Sequence, residues 1–233
     1  MNLLLLHDAD FREDGTVCLS GRRLLHAREV LRATQGDKLR VGRLGGLLGT
    51  AEVLRLDDAE LVLRPRLTDP PPQRAGIDLL LAIPRPKALR KILPAAASMG
   101  IDRIVLVNAA RVEKSYFDSK VLEGMEDLLV LGLEQARDTR LPEVLVRERF
   151  RPFVEDELDR LWPDALRLVA HPGAELANPS RSERTVLAIG PEGGWVPFEL
   201  ELLRAHGFAQ FSLGPRTLRV EVAVPYALGM LRL

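Results

Sequence analysis

Short runs of apolar residues, separated by turn-forming residues, dominate the first 72 positions of the chain. Runs of this length and spacing are typical of β-strands. They predict strands over residues 3–6, 17–19, 38–41, 51–56 and 61–63. Residues 22–33 instead repeat apolar residues at helical spacing and end near Gly36, so they predict a helix. Several closely spaced short strands around one helix indicate a small β-barrel.

Three consecutive prolines, Pro70, Pro71 and Pro72, mark a domain boundary, because proline fixes an extended backbone and lacks the N–H that regular structure requires. After them, buried apolar runs alternate with amphipathic segments. These predict strands over 77–83, 103–108, 144–147, 166–170, 186–189 and 211–213, and helices over 88–99, 120–135, 152–161, 197–206 and 220–231. The sequence therefore predicts two domains, 1–72 and 73–233, and the second is α/β with a mostly parallel sheet covered on both faces.

Composition and charge narrow the class of protein. The chain is 46% hydrophobic and 28% charged, its apolar runs are too short to cross a bilayer, and no signal peptide opens it, so we expect a cytoplasmic protein with no membrane partner. One cysteine, Cys18, and four scattered histidines predict no disulfide and no metal site. The 33 basic and 33 acidic residues balance overall, but residues 71–120 hold nine basic and four acidic residues, which favours that stretch for RNA contact.

Two glycine-containing loops follow predicted strands and precede predicted helices. The first is Gly190, Pro191, Glu192, Gly193 and Gly194. Its glycines let the backbone approach a flat ligand such as an adenine-containing cofactor. A tight turn between strand and helix is the alternative. In a parallel sheet such loops lie at the carboxyl ends of the strands, where ligands bind.

The second loop contains Leu213 and Gly214 and leads through Leu218 to Arg219 and Glu221, at the start of the last predicted helix. A carboxylate suits the positive end of a helix dipole and a guanidinium does not, so Arg219 is a candidate functional residue. The alternative is an exposed arginine paired with Glu221.

Two further segments after predicted strands carry polar residues. His171 and Pro172 either line the same crevice or cap their strand. Arg111 and Lys114 beside Tyr116 can grip phosphate and stack a base, or can form a charged surface loop.

A dense polar cluster over residues 134–143 closes a long predicted helix. Its arginines complement the helix dipole if the cluster is a solvated helix end. In the alternative, Glu134, Gln135 and Arg140 face the crevice or a second subunit.

Four motifs, in order along the chain, resemble those of the RsmE-type branch of the SPOUT RNA methyltransferases. They are residues 26–32 with Gly36 and Asp37, residues 134–143, residues 189–194 and residues 213–221. The resemblance implies a PUA-like RNA-binding β-barrel over 1–72, a C-terminal SPOUT α/β domain with a deep trefoil knot, and a homodimer. It also implies that S-adenosylmethionine (SAM) donates a methyl group to N3 of a uridine in the 16S rRNA of the small ribosomal subunit.

The resemblance assigns roles residue by residue. The cofactor-binding residues are His171, Pro172, Gly190, Pro191, Glu192, Gly193, Gly194, Leu213, Gly214, Leu218 and Arg219. The RNA-binding candidates are His26, Arg32, Arg111, Lys114 and Tyr116, and the catalytic candidates are Arg219 and Glu221. Uracil N3 must lose its proton before methylation, and a guanidinium stabilises the resulting charge on the carbonyl oxygens. We assign this to Arg219, and expect Glu221 to orient Arg219 rather than to accept the proton, because a carboxylate beside an arginine is a weak base.

Departures from the family pattern keep two other functions open. Many relatives have threonine where Val222 stands, and Gly-Arg where Arg137 and Asp138 stand. One alternative is a non-catalytic SPOUT-fold protein that binds RNA. The other is a SPOUT methyltransferase that acts on a ribose hydroxyl or another base. SAM binding and the identity of the modified nucleotide distinguish these functions.

Overall fold

A computed structural model describes residues 3–174 and 184–232. The chain forms two compact units. Unit 1 comprises Met1–Gln73 and Val130–Leu141, and unit 2 comprises Arg74–Leu129 and Pro142–Leu233. Within the described ranges, no helix is both long enough and apolar enough to cross a membrane.

Unit 1 is built on a five-stranded mixed sheet in the order β1-β3-β4-β5-β2. Its strands are β1 (Leu4–Leu6), β2 (Val17–Leu19), β3 (Lys38–Arg43), β4 (Leu48–Leu56) and β5 (Leu61–Asp69). β1 pairs with β3 in parallel, and the other pairs are antiparallel. Alternate residues such as Leu39 and Val41 are buried, because successive side chains of a strand point to opposite faces.

β5 extends beyond the predicted strand at 61–63 and passes through Pro65. Beyond Leu63 this strand has β4 as a partner but no longer β2. Proline cannot donate to a sheet ladder, so it is confined to segments such as this one that are paired on one side only.

The helix predicted over 22–33 is only partly correct. It begins as α1 (Gly21–Leu25) and continues as a π-helical turn, His26–Val30, in which the Leu31 N–H donates to His26 O at 3.0 Å. The segment ends at Arg32, whose φ is +52°. The apolar spacing does not distinguish the wider π turn from an α-helix.

Unit 2 contains a six-stranded sheet in the order β11-β9-β10-β6-β7-β8. The strands are β6 (Ile77–Ala82), β7 (Arg103–Val107), β8 (Glu143–Arg147), β9 (Leu166–Ala170), β10 (Thr185–Ile189) and β11 (Ala209–Phe211). Every pair is parallel, so the predicted α/β fold with a mostly parallel sheet is confirmed. All residues of β6 are buried, as expected of a strand covered on both faces.

The helices after the first unit's sheet broadly follow the apolar pattern. They are α2 (Pro86–Ser98), α3 (Lys120–Glu123), α4 (Met125–Ala136), α5 (Phe150–Pro152), α6 (Leu158–Leu161), α7 (Pro197–Ala205) and α8 (Val220–Arg232). The helix predicted over 120–135 is interrupted at Gly124, and that predicted over 152–161 contains a π turn, Phe153–Glu157.

The polar cluster at the end of α4 is part of unit 1. The buried Glu134 accepts hydrogen bonds from both terminal nitrogens of Arg22, at 2.8 and 3.2 Å. Thr139 donates from its hydroxyl to Gly46 O at 2.6 Å, and Asp138 accepts from the backbone N–H groups of Thr139 and Arg140. Glu134 therefore ties α4 to α1, and Asp138 fixes the backbone just after α4, which neither interpretation of this cluster anticipated.

A buried ion cluster lies near the amino-terminal end of the parallel sheet. Asp78 on β6 accepts hydrogen bonds at Oδ2 from Trp162 Nε1, at 2.5 Å, and from Arg184 Nη2, at 2.9 Å. Arg103, its register partner on β7, lies 3.7 Å from the same oxygen. A buried carboxylate is tolerated when it is paired and hydrogen-bonded, as Oδ2 is here, although Oδ1 has no hydrogen-bond partner among the described residues.

Candidate functional site

The loops expected to bind a cofactor come from three adjacent strands. β9 lies between β10 and β11, so the loops that begin at His171, Gly190 and Ser212 leave neighbouring strands at the same edge of the sheet. His171 donates its backbone N–H to Phe211 O at 3.0 Å, which ties the first loop to the third. The structure thus brings together at one edge the segments that the sequence identified separately.

The loop after β10 requires glycine at several positions. A Cβ on Gly190 would lie 3.1 Å from the Trp195 ring, and Gly194 has a φ of +73°, which disfavours other residues. The Gly194 N–H donates to Pro191 O at 2.8 Å and closes the turn. Trp195 is buried, and its Nε1 has no hydrogen-bond partner within the described ranges.

Two side chains from other elements hold the glycine loop at 190–194 in place. Arg111 donates from Nη1 to Gly193 O, and a Cβ on Gly193 would lie 2.9 Å from Arg111 Cδ. Buried Glu199 on α7 accepts from Val196 N at 2.9 Å and from Ala110 N, in the loop after β7, at 2.7 Å. Arg111, an RNA-binding candidate, thus packs on the glycine loop. The sequence signal for Glu199 was its position two residues after Pro197, the first residue of a helix.

Arg85, which the sequence did not single out, anchors Glu192. It follows β6, and its backbone N–H and Nε donate to Glu192 Oε1 at 3.1 and 3.0 Å. The hydrogen bond and the charge of Glu192 raise the pKa of Arg85 above its ordinary value. The available signal was a basic residue directly after a buried strand, at the start of the stretch rich in basic residues.

The charges of Glu192 and Arg85 also act on the Tyr116 phenol. Burial raises the pKa of the Tyr116 phenol, and the carboxylates of Glu113 and Glu192 raise it further, against the opposing effect of Arg85. Tyr116 therefore stays protonated and able to donate a hydrogen bond at neutral pH. It ends a short 3₁₀ turn, Lys114–Tyr116, in the loop after β7.

Replacing Glu192 with glutamine is expected to lower the Tyr116 pKa, because a negative charge near the phenolate is lost while the burial remains. The chain has two tyrosines, so the titration is followed by phenolate absorbance in a Tyr226→Phe background. Glu201→Gln, a change at an exposed carboxylate on α7, is the control and should leave the pKa unaltered. An unchanged Tyr116 pKa in the Glu192 variant would contradict this electrostatic coupling.

Arg219 and Glu221 lie on either side of the start of α8 but do not pair with each other. The Arg219 side chain is exposed and makes no hydrogen bond or ion pair with any residue that the structure describes. The largely buried Glu221 carboxylate instead lies 3.8 Å from Lys91 Nζ on α2. Glu221 thus does not orient Arg219 here, and Arg219 is available for a ligand.

The remaining candidates are placed as follows. Leu213 and Gly214 follow β11, and the Gly214 N–H donates to Ser212 Oγ at 3.1 Å. His26 and Arg32 belong to unit 1, in and after the π turn. In the part of the chain that the structure describes, no group of three metal-ligating side chains lies close enough to hold an ion.

Known proteins resemble this chain along nearly its full length. Residues 71–232 match the family model for an RNA methyltransferase domain. A Treponema pallidum protein named ribosomal RNA small subunit methyltransferase E is 32% identical over 236 residues, which cover 96% of this chain and 87% of that protein. A protein of the same name from Synechocystis is 28% identical, with coverages of 94% and 73%. The structure of a Neisseria gonorrhoeae protein of that name, bound to S-adenosyl methionine, has a TM-score of 0.77 at 21% identity and coverages of 99% and 97%.

Proposed function

Since the chain belongs to the RNA methyltransferase family whose members are named ribosomal RNA small subunit methyltransferase E, we propose that it transfers a methyl group from SAM to N3 of a uridine in 16S rRNA. Family membership confirms the resemblance seen in the motifs. The observation that carries the proposal is the meeting of three loops, after β9, β10 and β11, at adjacent strand ends, with the unpaired Arg219 following the third.

The residues of this edge fit SAM. Gly190 and Gly194 carry no side chain that would cover the loop backbone, so its N–H and C=O groups can form hydrogen bonds with the edge of an adenine. Trp195 Nε1 is a buried donor in need of an acceptor. We propose that SAM is held by His171 and Pro172, by residues 190–194, and by Leu213, Gly214, Leu218 and Arg219. When bound, SAM supplies a methyl group on a positively charged sulfur, which is a strong electrophile.

Arg219 is the proposed catalytic residue for the uridine. Loss of the N3 proton spreads negative charge onto the two neighbouring carbonyl oxygens, and a guanidinium can donate two parallel hydrogen bonds to such a group. Arg219 has no side-chain partner among the residues that the structure describes, which leaves its donors available. For Glu221 we propose a positioning role, in which its carboxylate faces Lys91 and holds the start of α8 against α2.

The two positions that depart from the family pattern do not favour the non-catalytic alternative. Val222 is 47% exposed, so the loss of a threonine hydroxyl leaves no internal group without a partner. Asp138 has a local structural role, because it accepts hydrogen bonds from the backbone N–H groups of Thr139 and Arg140 just after α4.

The same family also suggests how the two domains are built and that two copies of the chain associate. We propose that residues 1–72 form a PUA-like barrel that holds RNA, that residues 73–233 form a knotted methyltransferase domain, and that the protein is a cytoplasmic homodimer. Val222 and Tyr226 on α8 are four residues apart, on one helix face, and 47% and 49% exposed, which supports burial of this face against a second copy.

The test is a calorimetric titration with SAM, followed in the same preparation by transfer of labelled methyl groups to undermethylated small ribosomal subunits. We expect saturable SAM binding and transfer to 16S rRNA. Binding without transfer would point to another RNA target. Failure to bind SAM would favour the non-catalytic RNA-binding alternative.

A further inference from the structure

Three cationic side chains of unit 1 line one pocket without any internal counter-charge. Lys38, Arg40 and Arg137 line a cavity of about 260 Å³, together with His26 and four leucines. None of the three cations has a hydrogen bond or an ion pair with any residue in the described ranges. By contrast, eight other arginines of unit 1 face carboxylates: Arg12, Arg22, Arg23, Arg28, Arg43, Arg55, Arg64 and Arg140. Arg32 and Arg66 also make no ion pair within the described ranges, so three of the five unpaired cations of the unit lie together at one concave site.

The strand pattern of β3 builds one wall of the pocket. Lys38 and Arg40 are two residues apart on β3, so they point to the same face, while Leu39 between them is buried. The register partner of Lys38 on β4 is Glu52, which lies 3.8 Å from Arg64 and makes no ion pair with Lys38. No carboxylate is among the described residues that line the pocket. The site therefore keeps its positive potential.

Arg137 enters the pocket from a backbone conformation that arginine disfavours. It follows the last residue of α4 and has a φ of +59°, which is usual for glycine after a helix. Such a conformation in a residue with a Cβ costs free energy and persists where the surrounding structure or a function requires that side chain. A second and independent observation therefore marks the same pocket.

We propose that this pocket binds a phosphate group of the RNA backbone. Its cations offer N–H donors and no acceptor, and the two guanidinium groups match phosphate oxygens in geometry. The cavity is slightly smaller than the usual size range of ligand pockets, which suits a phosphate group rather than a whole nucleotide. Phosphate contacts of this kind position a nucleic acid without reading its sequence. The identification of the ligand as RNA rests on the proposed function.

Arg137→Gly distinguishes a loss of RNA binding from a loss of folding, because it should weaken RNA binding without lowering the stability of the protein. Glycine accepts the positive φ, so the melting temperature should not fall. Affinity for a short single-stranded oligoribonucleotide of mixed sequence should fall about fivefold, and the dependence of log K on log salt should become shallower by about one unit. Adding Lys38→Ala and Arg40→Ala should weaken binding by roughly 100-fold in total. Arg64→Ala removes the same charge from a paired site on the same sheet and should change the affinity less than twofold.

Each outcome decides the proposal. Unchanged RNA affinity in the triple variant would overturn it, and so would an equal loss in Arg64→Ala. Displacement of the oligoribonucleotide by inorganic phosphate alone, at concentrations as low as those of the RNA, would assign the site to a free anion instead. SAM binding and methyl transfer are measured separately on the unsubstituted protein. If SAM does not bind but the pocket variants still lose RNA affinity, the proposed function fails and the pocket stands.

Discussion

Replacing Arg219 with alanine is expected to slow methyl transfer about 10²- to 10³-fold, the usual effect of removing one donor to a developing oxyanion. SAM affinity, measured by calorimetry, should stay within a few-fold of the original value, because the loop backbones carry most of the binding. The stability of the fold should not change, since the Arg219 side chain is exposed and has no partner among the described residues. The readout is single-turnover transfer to undermethylated small subunits at saturating SAM.

Two further variants make this result specific. Arg219→Lys keeps the charge but loses the two-pronged hydrogen bonding, so it should recover only a small part of the rate. Arg216→Ala removes an exposed arginine from the same loop and should retain nearly full transfer. Near-normal turnover of Arg219→Ala, or an equal loss in Arg216→Ala, would contradict the assignment of Arg219.

Replacing Asp78 with alanine should lower the free energy of unfolding by about 3 kcal/mol, because it breaks a buried hydrogen-bonded ion cluster and leaves a buried donor unsatisfied. That donor is Trp162 Nε1, which donates a hydrogen bond to Asp78 Oδ2 at 2.5 Å. Arg184 and Arg103 lose their shared partner as well, although Arg184 is 48% exposed and suffers less. Urea denaturation measures the change.

The matched control is Glu143→Ala. Glu143 pairs with the same Arg103, at 2.6 Å, but is 51% exposed, so its loss should cost less than about 1 kcal/mol. In a double-mutant cycle, Trp162→Phe should cost less in the Asp78→Ala background than alone, because the hydrogen bond is already gone. A loss below about 1 kcal/mol for Asp78→Ala would show that the cluster is not a stabilising element.

The sequence predicted the elements whose signal is local. Apolar runs identified the strands that became β6, β7, β8, β9 and β10, and their alternation with helices predicted the parallel sheet. The strand predicted over 211–213 was misplaced, since β11 covers Ala209–Phe211 and shares only Phe211 with it. The glycine loop at 190–194 was recognisable because strand, glycine and helix are contiguous in the chain. Parallel topology then placed the loops after β9, β10 and β11 at one edge.

The sequence could not predict partnerships between distant residues. Arg85 and Glu192 are 107 positions apart, and nothing in either local pattern indicates that one anchors the other. The sequence pattern placed Glu134 at a solvated helix end or facing a crevice. It cannot show that Arg22, 112 positions away, forms hydrogen bonds with this carboxylate. The π turn at His26–Val30 was missed because one extra residue per turn leaves the apolar spacing nearly unaltered.

For Arg219, the sequence indicated the functional candidate but not the contacts of its neighbour Glu221. Its unfavourable position at a helix start indicated a function from sequence alone. The expected partner, Glu221, was two residues away, and yet the structure pairs that carboxylate with Lys91 on α2. A short separation along the chain did not predict the contact, because side chains two apart at a helix start point in different directions.

The most direct test of the account is to identify the methylated atom. Small subunits from a strain that lacks this modification are incubated with the protein and labelled SAM, the rRNA is digested to nucleosides, and the labelled nucleoside is identified by mass spectrometry against standards. We expect one labelled product, 3-methyluridine, which Arg219→Ala forms far more slowly. Label on a ribose hydroxyl or on another base would contradict it.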